Sequence, residues 1–446
     1  MSDNYIENWL HGIIGGEGVH GRFGRADVDA YQLQKLCAAL QYAYDNSSFY
    51  REHFDKAGVK PDRVRSLADL SALPFTEPEH IAQSPYRFLC LSRAEIARPY
   101  SFVTSGTTGP RKRVFWTRGD IEKITDFMAA GMGMVAGPGD IVQILLPDGR
   151  PDSQADLLRK GVLKLGATPV VADMQRSAEE QFLLMQESRS TVIFGYAGHI
   201  FRLSIELETK HDLRPLGVRV LFLAAEYLPE ARRRELERMW HCRVRTHYGL
   251  TEMGLGVAVE CEARNGYHFN EEGLLLEVVN PRTRFPVEAG DEGELVFTTL
   301  NRQAMPLIRY RTHDFSRLIS EPCPCGATTL LRIDKIRKRL ESIVVLENGD
   351  EMYPALFDDV LFEIPGLIDY QVVLKRKGCR DCLDFKAELR EERADSLSVI
   401  REKLLSTPLI ARNINAGNMA EPSIKLVPWG ALQSASRAKK MIVDRR

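Results

Sequence analysis

The run IVQILL at residues 141–146 is the first of four short apolar segments that decide the fold. Each segment has the length of one buried strand, and a segment with helical spacing of its apolar residues follows it. The predicted strands are IVQILL at 141–146, TPVV at 168–171, TVIF at 191–194 and VRVLFL at 218–223. The predicted helices that alternate with them cover residues 156–165, 178–188, 199–208 and 229–240. Such alternation predicts an α/β fold of parallel βαβ units with right-handed crossovers.

Two loops at strand ends are candidate site loops. In open parallel sheets, ligands bind beyond the carboxyl ends of the strands. Ala224-Ala225-Glu226 follows the fourth predicted strand, and Thr246-His247-Tyr248-Gly249 lies just past another such end. We therefore expect both loops to line a ligand site at that edge of the sheet.

The size and composition of the chain limit its class. At 446 residues it is too long for one ordinary core, so two or more domains are expected. A hydrophobic content of 44% and a charged content of 27% are typical of globular proteins. A net charge of −1 gives no general reason to expect a nucleic acid or an anionic membrane as partner. No apolar run could span a bilayer and residues 1–21 lack a signal-peptide core, so we predict a cytoplasmic protein with reduced cysteines.

The sequence changes character after about residue 254. Three strand-like runs separated by turn residues predict a small β subdomain over about 254–331. The runs are Leu274–Val279, Glu294–Thr298 and Phe315–Ile319. A basic stretch then leads into mixed strands and helices, so we predict a large N-terminal domain, 1–338, and a small α+β C-terminal domain, 339–446. Further predicted helices cover 28–58, 120–134 with Asp120 as N-cap, and 393–404.

Residues 104–109 read TSGTTG and combine four hydroxyl side chains with two glycines. Small residues let a backbone fold closely around an anion, whose oxygens accept from hydroxyls and exposed N–H groups. Arg111, Lys112 and Arg113 follow at once and can add charge-assisted bonds to phosphate. Because apolar residues flank the loop on both sides, we interpret it as a strand–loop–strand phosphate cradle rather than a Ser/Thr-rich surface turn. It is not a P-loop, because no Gly-Lys-Ser/Thr follows at the required spacing.

Four further stretches suit a nucleotide, although each has a plain structural alternative. HYGLTE at 247–252 offers a ring, a hydroxyl and a carboxylate for Mg²⁺, or it is a strand-to-turn corner. YRTHD at 310–314 places a carboxylate where a ribose diol could bind, or it is a surface Arg–Asp pair. RKRLE at 337–341 and RAKK at 437–440 are basic, for which a solvated face and a basic tail are the alternatives.

Taken in this order, the stretches resemble the motifs of the adenylate-forming superfamily of acyl-CoA synthetases, adenylation domains and luciferases. The resemblance spans roughly residues 100–446. Cys261, His268, CPCG at 323–326 and AKK at 438–440 are most similar to the phenylacetate–CoA ligase branch. The resemblance implies use of ATP, Mg²⁺ and coenzyme A, and the branch also suggests a homodimer.

The resemblance implies a role for each position that matches a nucleotide motif. The phosphate loop would wrap the β- and γ-phosphates of ATP through Thr104, Ser105, Gly106, Thr107, Thr108, Gly109 and Lys112. Ala225 and Glu226 would line the adenine pocket, and Tyr248, between His247 and Gly249, would stack on the base.

The remaining roles concern the reacting groups. Thr251 would approach the α-phosphate, Glu252 would bind Mg²⁺, and Asp314 would take the ribose hydroxyls with Arg339 nearby. The resemblance also implies that the C-terminal domain, 339–446, is a small, mobile α+β lid domain, and Glu341 stands where the family's lid pivots. We expect the acid pocket to be formed by strand-end residues, and its predicted members are Tyr196, Ala224 and Thr246.

Three positions depart from the family's pattern. His313 stands where the family usually has a glycine before the ribose-binding aspartate, and the hinge string Gly-Arg-x-Asp-Asp has become KRLES at 338–342. Arg437 replaces the adenylation lysine that follows a glycine in the family. Lys439 lies two residues on and shares a face with Arg437 in an extended segment, so both are candidate catalytic cations.

Four metal-binding side chains occur together in the predicted β subdomain. Cys261, His268, Cys323 and Cys325 form a Cys₃His set that suits tetrahedral structural zinc. Their spacing is not that of a standard finger, and reduced buried cysteines are the alternative. Members of the resembled branch carry a similar set, which favours zinc. Cys379 and Cys382 form a bare CxxC, which we interpret as a hairpin tip without metal.

The resulting prediction is an ATP-dependent acid–thiol ligase of aryl or arylacetic type. The acid would form an acyl-adenylate with release of pyrophosphate, and coenzyme A would take the acyl group with release of AMP. A close variant would transfer the acyl group to another acceptor. The alternative of a different class is a non-catalytic protein that binds a nucleotide or an acyl-adenylate and has lost the lysine.

Overall fold

The computed structural model describes residues 4–15, 23–102, 112–147, 150–432 and 442–446. The chain begins with four helices, α1 (Tyr5–Gly15), α2 (Arg25–Asn46), α3 (Ser48–Ala57) and α4 (Pro78–Gln83). Strands β1 (Arg98–Phe102) and β2 (Lys112–Trp116) then pair antiparallel, with Phe102 opposite Lys112. The predicted strands on both sides of the phosphate loop are therefore present, whereas the loop itself, Thr104 to Gly109, lies outside the described residues.

A parallel sheet with alternating helices forms the centre of the large domain. Its elements in chain order are α5 (Arg118–Met132), β3 (Ile141–Leu146), α6 (Gln154–Lys164), β4 (Thr168–Asp173), α7 (Ala178–Ser188), β5 (Val192–Tyr196), α8 (Ala197–Glu208), β6 (Val220–Ala224), α9 (Glu230–Trp240) and β7 (Arg243–Tyr248). The parallel strands lie in the order β7-β6-β5-β3-β4. The predicted α/β class is confirmed, and all four predicted strands and helices are present.

The strands after β7 belong to two different sheets. They are β8 (Ala258–Glu260), β9 (Tyr267–Phe269), β10 (Leu274–Val279), β11 (Gly293–Thr299), β12 (Tyr310–Ser316), β13 (Leu318–Ile319), β14 (Arg332–Ile333) and β15 (Lys338–Arg339). Four of them extend the parallel sheet to nine strands in the order β13-β14-β9-β8-β7-β6-β5-β3-β4. The others form a four-stranded antiparallel sheet in the order β10-β11-β12-β15.

The predicted single strand Phe315–Ile319 is wrong, because the chain changes sheets in its middle. Phe315 and Ser316 end β12, whereas Leu318 begins β13. The change is fixed by Asp334, whose carbonyl accepts from the Ser316 hydroxyl at 2.8 Å and whose N–H donates to the Arg317 carbonyl at 3.0 Å. Alternating apolar residues could not reveal such a bend.

Two helix predictions also need correction. Thr117, not Asp120, is the N-cap of α5, and its hydroxyl accepts from the Asp120 N–H at 3.0 Å. Asp120 completes a capping box by accepting from the Thr117 N–H at 2.9 Å. The predicted helix over 28–58 is two helices, because Ser47 adopts an extended conformation between them and caps α3.

The C-terminal domain has its own four-stranded sheet. Its elements are β16 (Val344–Val345), β17 (Glu351–Met352), α10 (Pro354–Leu361), β18 (Leu367–Lys377), β19 (Arg380–Leu389), α11 (Ser396–Leu405), α12 (Pro408–Asn415), β20 (Ser423–Val427) and β21 (Ile442–Asp444). The sheet order is β20-β19-β18-β21. Cys379 lies in the turn between β18 and β19, so the predicted hairpin tip is confirmed. The predicted domain boundary, between residues 338 and 339, falls within β15, which pairs with β12 of the large domain.

A buried carboxylate joins the two domains. Glu388 on β19 is fully buried and accepts from both terminal nitrogens of Arg202 on α8, at 2.8 and 3.0 Å. The same carboxylate accepts from the backbone N–H groups of Gly430 and Leu432, at 2.8 and 3.2 Å. A bidentate arginine pair in a buried site is well oriented, so it favours this arrangement of the domains. Within the described ranges, no helix combines the length and the apolar character needed to cross a membrane.

Candidate active site

The first polar cluster is built around Asp314 on β12, which is 3% exposed. The Tyr248 hydroxyl, from the end of β7, donates to Oδ2 of Asp314 at 2.6 Å. Nε of Arg339 on β15 lies 3.1 Å from Oδ1 of the same carboxylate. Burial, and next the Asp314 charge, raise the pKa of Tyr248 well above its usual value, so the phenol keeps its proton and remains a donor.

The second cluster is built around Glu252, which follows β7 and is also buried. Nζ of Lys112, the first residue of β2, lies 2.9 Å from its Oε1. The Tyr310 hydroxyl donates to the same Oε1 at 2.6 Å and lies 3.0 Å from the lysine nitrogen. Burial, and next the carboxylate, raise the pKa of Tyr310 well above its usual value. The cluster is a compact triad of cation, anion and phenol.

The two clusters share one edge of the nine-stranded sheet. Tyr248 and Glu252 are four residues apart at the carboxyl end of β7, whereas Tyr310 and Asp314 lie on β12 of the other sheet. The described part of the chain thus brings together the predicted residues Lys112, Tyr248, Glu252, Asp314 and Arg339. Tyr310 was not predicted as a site residue, because within the YRTHD stretch the resemblance assigned a role only to Asp314.

The loop after β7 requires a glycine. A Cβ on Gly249 would lie 2.0 Å from the Leu255 carbonyl oxygen, so no other residue fits without a backbone shift. The Leu255 N–H donates to the Leu250 carbonyl at 2.7 Å, which closes a tight turn that contains Thr251. The glycine therefore keeps Tyr248 and Glu252 on the two sides of one turn.

The Ala225–Glu226 loop faces the other domain. Both residues line a narrow cavity of about 60 Å³, together with Arg339 from the end of the large domain and Pro354 from the start of α10. Ala225 adopts a φ of 76°, a left-handed conformation that is uncommon for residues other than glycine. Glu226 follows this turn and shares the walls of the cavity with Arg339.

An apolar cavity lies beside the Tyr248 end of the sheet, between α5, α6 and four strands. Its volume is about 40 Å³, and its described walls include Phe127, Phe194, Phe222, Leu158 and Val259. Two polar side chains, Gln154 and His247, also line it. Phe194, Phe222 and His247 come from neighbouring strands, and their ring centroids are 5.3 to 5.5 Å apart. The position and the aromatic walls suit the apolar part of an acid.

The three predicted acid-pocket residues have different positions. Tyr196 ends β5, and its hydroxyl donates to Oε1 of Gln154 at 3.0 Å, at the border of the apolar cavity. Ala224 is buried at the end of β6. Thr246 faces the opposite side of the sheet, where its hydroxyl lies 3.0 Å from the Tyr267 hydroxyl and 3.2 Å from Glu260. The alternation of side chains along β7 explains the difference, since His247 then faces the cavity.

The cysteine and histidine side chains form a buried cluster at the far end of the nine-stranded sheet. Their candidate ligand atoms all lie within 4.8 Å of one another, and the residues are Cys261, His268, Cys323 and Cys325. The sulfurs of Cys261 and Cys323 are 3.5 Å apart, and the sulfur of Cys325 is 3.4 Å from Nε2 of His268. Tetrahedral zinc with Zn–S of about 2.3 Å places two sulfurs about 3.8 Å apart, so the cluster fits this ion.

A wider cavity of about 810 Å³ lies at the opposite, amino-terminal edge of the parallel strands. Its walls include Asp140, Arg219 and Arg243, which precede or begin β3, β6 and β7. Of the predicted site residues that the structure describes, none lines this cavity. The polar clusters and the apolar cavity at the carboxyl edge are therefore the candidate active site. Thr104 to Gly109, Arg437 and Lys439 lie outside the described residues.

Comparisons with known proteins agree with this geometry. Residues 65–302 match the family model described as AMP-binding enzyme, and residues 349–446 match that of the AMP-binding enzyme C-terminal domain. A phenylacetate-coenzyme A ligase of Escherichia coli is 32% identical over 84% of this chain and 85% of its own length. A phenylacetate-coenzyme A ligase of Thermus thermophilus is 34% identical over 82% of each chain.

The fold is also found among solved structures. A 2-hydroxyisobutyryl-CoA ligase in the postadenylation state superposes with a TM-score of 0.81 and 20% identity, over 95% of this chain and 91% of that one. The same ligase in the thioesterification state superposes with a TM-score of 0.67 over 94% and 90%. At this identity the likeness concerns the fold alone.

The backbone at His313 provides the first test. Its φ is 62°, the left-handed conformation that favours glycine, although a histidine occupies the position. We expect His313→Gly to change the free energy of unfolding by less than about 0.5 kcal/mol, because relief of backbone strain offsets the extra freedom of the unfolded glycine. His313→Val should cost about 1–2 kcal/mol, because a β-branched residue tolerates this φ poorly. Thermal unfolding of the two variants measures the difference, and equal stability would contradict it.

Proposed function

Because the chain belongs to the family of AMP-binding enzymes, we propose that it activates a carboxylic acid with ATP and transfers the acyl group to coenzyme A. The acid is of aryl or arylacetic type. One observation carries the proposal, namely that the Lys112–Glu252 and Tyr248–Asp314–Arg339 clusters lie at the same sheet edge as the aromatic cavity. The Lys112–Glu252 cluster can bind phosphates, the Tyr248–Asp314–Arg339 cluster can bind a ribose, and the cavity can hold the apolar part of an acid. The phenylacetate-coenzyme A ligases that resemble most of the chain support the same reaction.

The reaction brings two anions together, so neutralisation and alignment of charge are its main requirements. The carboxylate oxygen of the acid attacks the α-phosphorus of ATP, a new P–O bond forms, and pyrophosphate leaves with the electrons of the broken bond. In this proposal Thr251 approaches the α-phosphate, and the buried Lys112 cation binds oxygens of the β- and γ-phosphates. The coenzyme A thiol then attacks the acyl carbon of the mixed anhydride, loses its proton, and expels AMP.

Glu252 is the residue that would hold Mg²⁺. Its carboxylate is buried and already faces a cation, Lys112, at 2.9 Å, so the site tolerates positive charge there. Magnesium is usually bound by one or two carboxylates together with substrate phosphates, and it would neutralise phosphate charge. Phosphate oxygens compete with Glu252 for Lys112, which would free the carboxylate when the nucleotide enters.

The nucleoside would be held by the second cluster. Asp314 is an acceptor for the ribose hydroxyls in this proposal, and Arg339 lies 3.1 Å from it as the neighbouring cation in a buried site. The Tyr248 ring and the turn at Ala225 provide the walls for a base. The higher TM-score against the postadenylation state of the 2-hydroxyisobutyryl-CoA ligase supports an arrangement of the domains that serves adenylation. A homodimer is also proposed, on the resemblance to the phenylacetate–CoA ligase branch alone.

Exchange of radiolabelled pyrophosphate into ATP tests the function. We expect the wild-type chain to exchange pyrophosphate in the presence of at least one member of a panel of aryl and arylacetic acids. Asp314→Asn should lower the exchange about 10²-fold, because it removes the charge that faces Arg339 and the ribose. ATP binding without exchange for any acid would favour the non-catalytic alternative. Exchange without thioester formation would favour an acceptor other than coenzyme A.

The C-terminal cations are tested in the same assay. We expect Lys439→Ala to reduce exchange about 10²-fold, as loss of one donor to a transition-state anion does. Arg437→Lys should keep exchange within about tenfold of wild type if Lys439 supplies the charge. Lys440→Ala is the matched control, since the next residue of an extended segment faces the other way. Full exchange by Lys439→Ala would overturn the assignment of this lysine.

We propose that the cluster of Cys261, His268, Cys323 and Cys325 binds one structural zinc ion. The four buried donors at tetrahedral spacing support the ion, and they leave no position for a substrate. The sulfurs are too far apart for a disulfide, whose S–S length is about 2.05 Å. The ion would connect the loop after β13 to β8 and β9, and Nδ2 of Asn4 at 3.4 Å from the Cys325 sulfur adds the N-terminal segment.

Metal analysis of the purified chain tests this proposal. We expect about one zinc per chain in the wild type and a large loss of zinc in Cys325→Ser, together with a lower midpoint of thermal unfolding. Cys379→Ser is the matched control, because Cys379 is exposed in a hairpin turn and should not change the zinc content. A wild-type chain that is purified without metal, and gains no stability from added zinc, would contradict the proposal.

A further inference from the structure

The apolar cavity contains a polar atom without a partner. Nε2 of His247 is buried and has no hydrogen-bond partner in the described structure. A buried nitrogen without a partner is unfavourable relative to one that forms a hydrogen bond. His247 lines the cavity with Phe194 and Phe222, and both of its ring–ring distances to them are 5.3 Å. The orphan nitrogen therefore belongs to the wall of the cavity that would receive the acid.

The imidazole is neutral and faces the cavity as an acceptor. Burial lowers the pKa of His247 to about 4, and a hydrogen bond to the backbone of Tyr248 only partly offsets this effect. At neutral pH one ring nitrogen carries the proton and the other accepts. We assign the unpartnered Nε2 as the accepting nitrogen of the neutral ring.

Gln154 supplies a second polar group in the same cavity. Its Oε1 accepts from the Tyr196 hydroxyl at 3.0 Å, which fixes the amide orientation. The amide NH₂ group of Gln154 then remains as a donor at the start of α6, whereas His247 lines the cavity from β7. The cavity thus offers one acceptor and one donor within otherwise apolar walls. A hydroxyl group satisfies both, since it can donate to one partner and accept from another.

We propose that the acid activated by this chain is an aryl or arylacetic acid with a hydroxyl group on its ring, and that His247 is the residue that selects it. The inference rests on the proposed function and specifies its substrate class. The hydroxyl donates to Nε2 of His247, the ring lies against Phe194 and Phe222, and the carboxylate extends toward Thr251. An unsubstituted ring would leave the buried nitrogen unpaired, which makes the cavity discriminate against it.

Paired substrates test the proposal directly. The ratio of kcat/KM in pyrophosphate exchange is measured for each hydroxylated acid and its unsubstituted parent, namely hydroxyphenylacetic acids against phenylacetic acid and hydroxybenzoic acids against benzoic acid. We expect a ratio of at least about 10 in favour of one hydroxylated isomer, as the net value of one hydrogen bond to a buried acceptor implies. A ratio near 1 for every pair would overturn the inference while leaving the proposed function intact.

Variants show whether His247 is responsible. His247→Leu should lower the preferred ratio about tenfold by removing the acceptor, and His247→Gln should restore part of it because its amide oxygen accepts. His199→Leu is the matched control. His199 is a second histidine with a buried, unpartnered Nε2, but it does not line the cavity, so its loss should not change the ratio.

The outcomes separate the two proposals. An unchanged ratio in a folded His247→Leu variant that still exchanges pyrophosphate would overturn the role of His247. If His247→Leu does not fold, the ratios of the wild type still decide the substrate class. Failure of the wild type to exchange with any acid would overturn both the proposed function and this inference.

Discussion

Two carboxylates buried at one edge of a sheet, Glu252 and Asp314, constrain the architecture around them. A carboxylate that leaves water is tolerated only with a cation and hydrogen-bond donors close to it. Lys112 and Arg339 provide these cations from opposite ends of the large domain, β2 and β15, and a tyrosine completes each cluster. The requirement for neutral charge thus joins the antiparallel hairpin, the nine-stranded sheet and the four-stranded sheet at one place. Loss of either cation would leave a buried negative charge.

The same constraint explains why a substrate can bind there. A site that already holds paired charges exchanges one anion for another at low cost, because Lys112 can pass from the Glu252 carboxylate to a phosphate. Lys112 and Glu252 lose no further hydration at that step, because both side chains are buried before the nucleotide binds. The phenols of Tyr248 and Tyr310 keep their protons and remain donors in both states. Preorganisation of this kind is the usual origin of electrostatic catalysis. The geometry of the triad is therefore as relevant to the reaction as the identity of its members.

The bounds of strands and helices that depend on the local sequence pattern could be predicted. The strand at 141–146 and the helix at 178–188 end on the same residues in the structure, because period and turn residues determine both. The sequence could also indicate the nucleotide residues, because motifs keep Tyr248 near Glu252. The partners of those residues were beyond prediction. Lys112 and Tyr310 are 198 positions apart, and only the folded sheets bring them within 3.0 Å. The predictions of a single strand over 315–319 and of a single helix over 28–58 were wrong because individual hydrogen bonds decide where these elements break.

The two halves of the candidate site differ in how they are encoded. Phosphates and ribose are recognised by charge, so their residues occur in compact motifs such as HYGLTE. In the proposed site the acid is recognised by shape and by isolated polar atoms, and the residues that line the apolar cavity are dispersed over α5, α6 and four strands. Family membership therefore specifies the chemistry of the reaction but leaves the acid open. Thr246 and His247 illustrate the point, because adjacent residues of one strand face opposite sides of the sheet and only one lines the cavity. The residues that would select the acid are then expected at positions that carry no motif, such as His247 with its unpartnered Nε2 between Phe194 and Phe222.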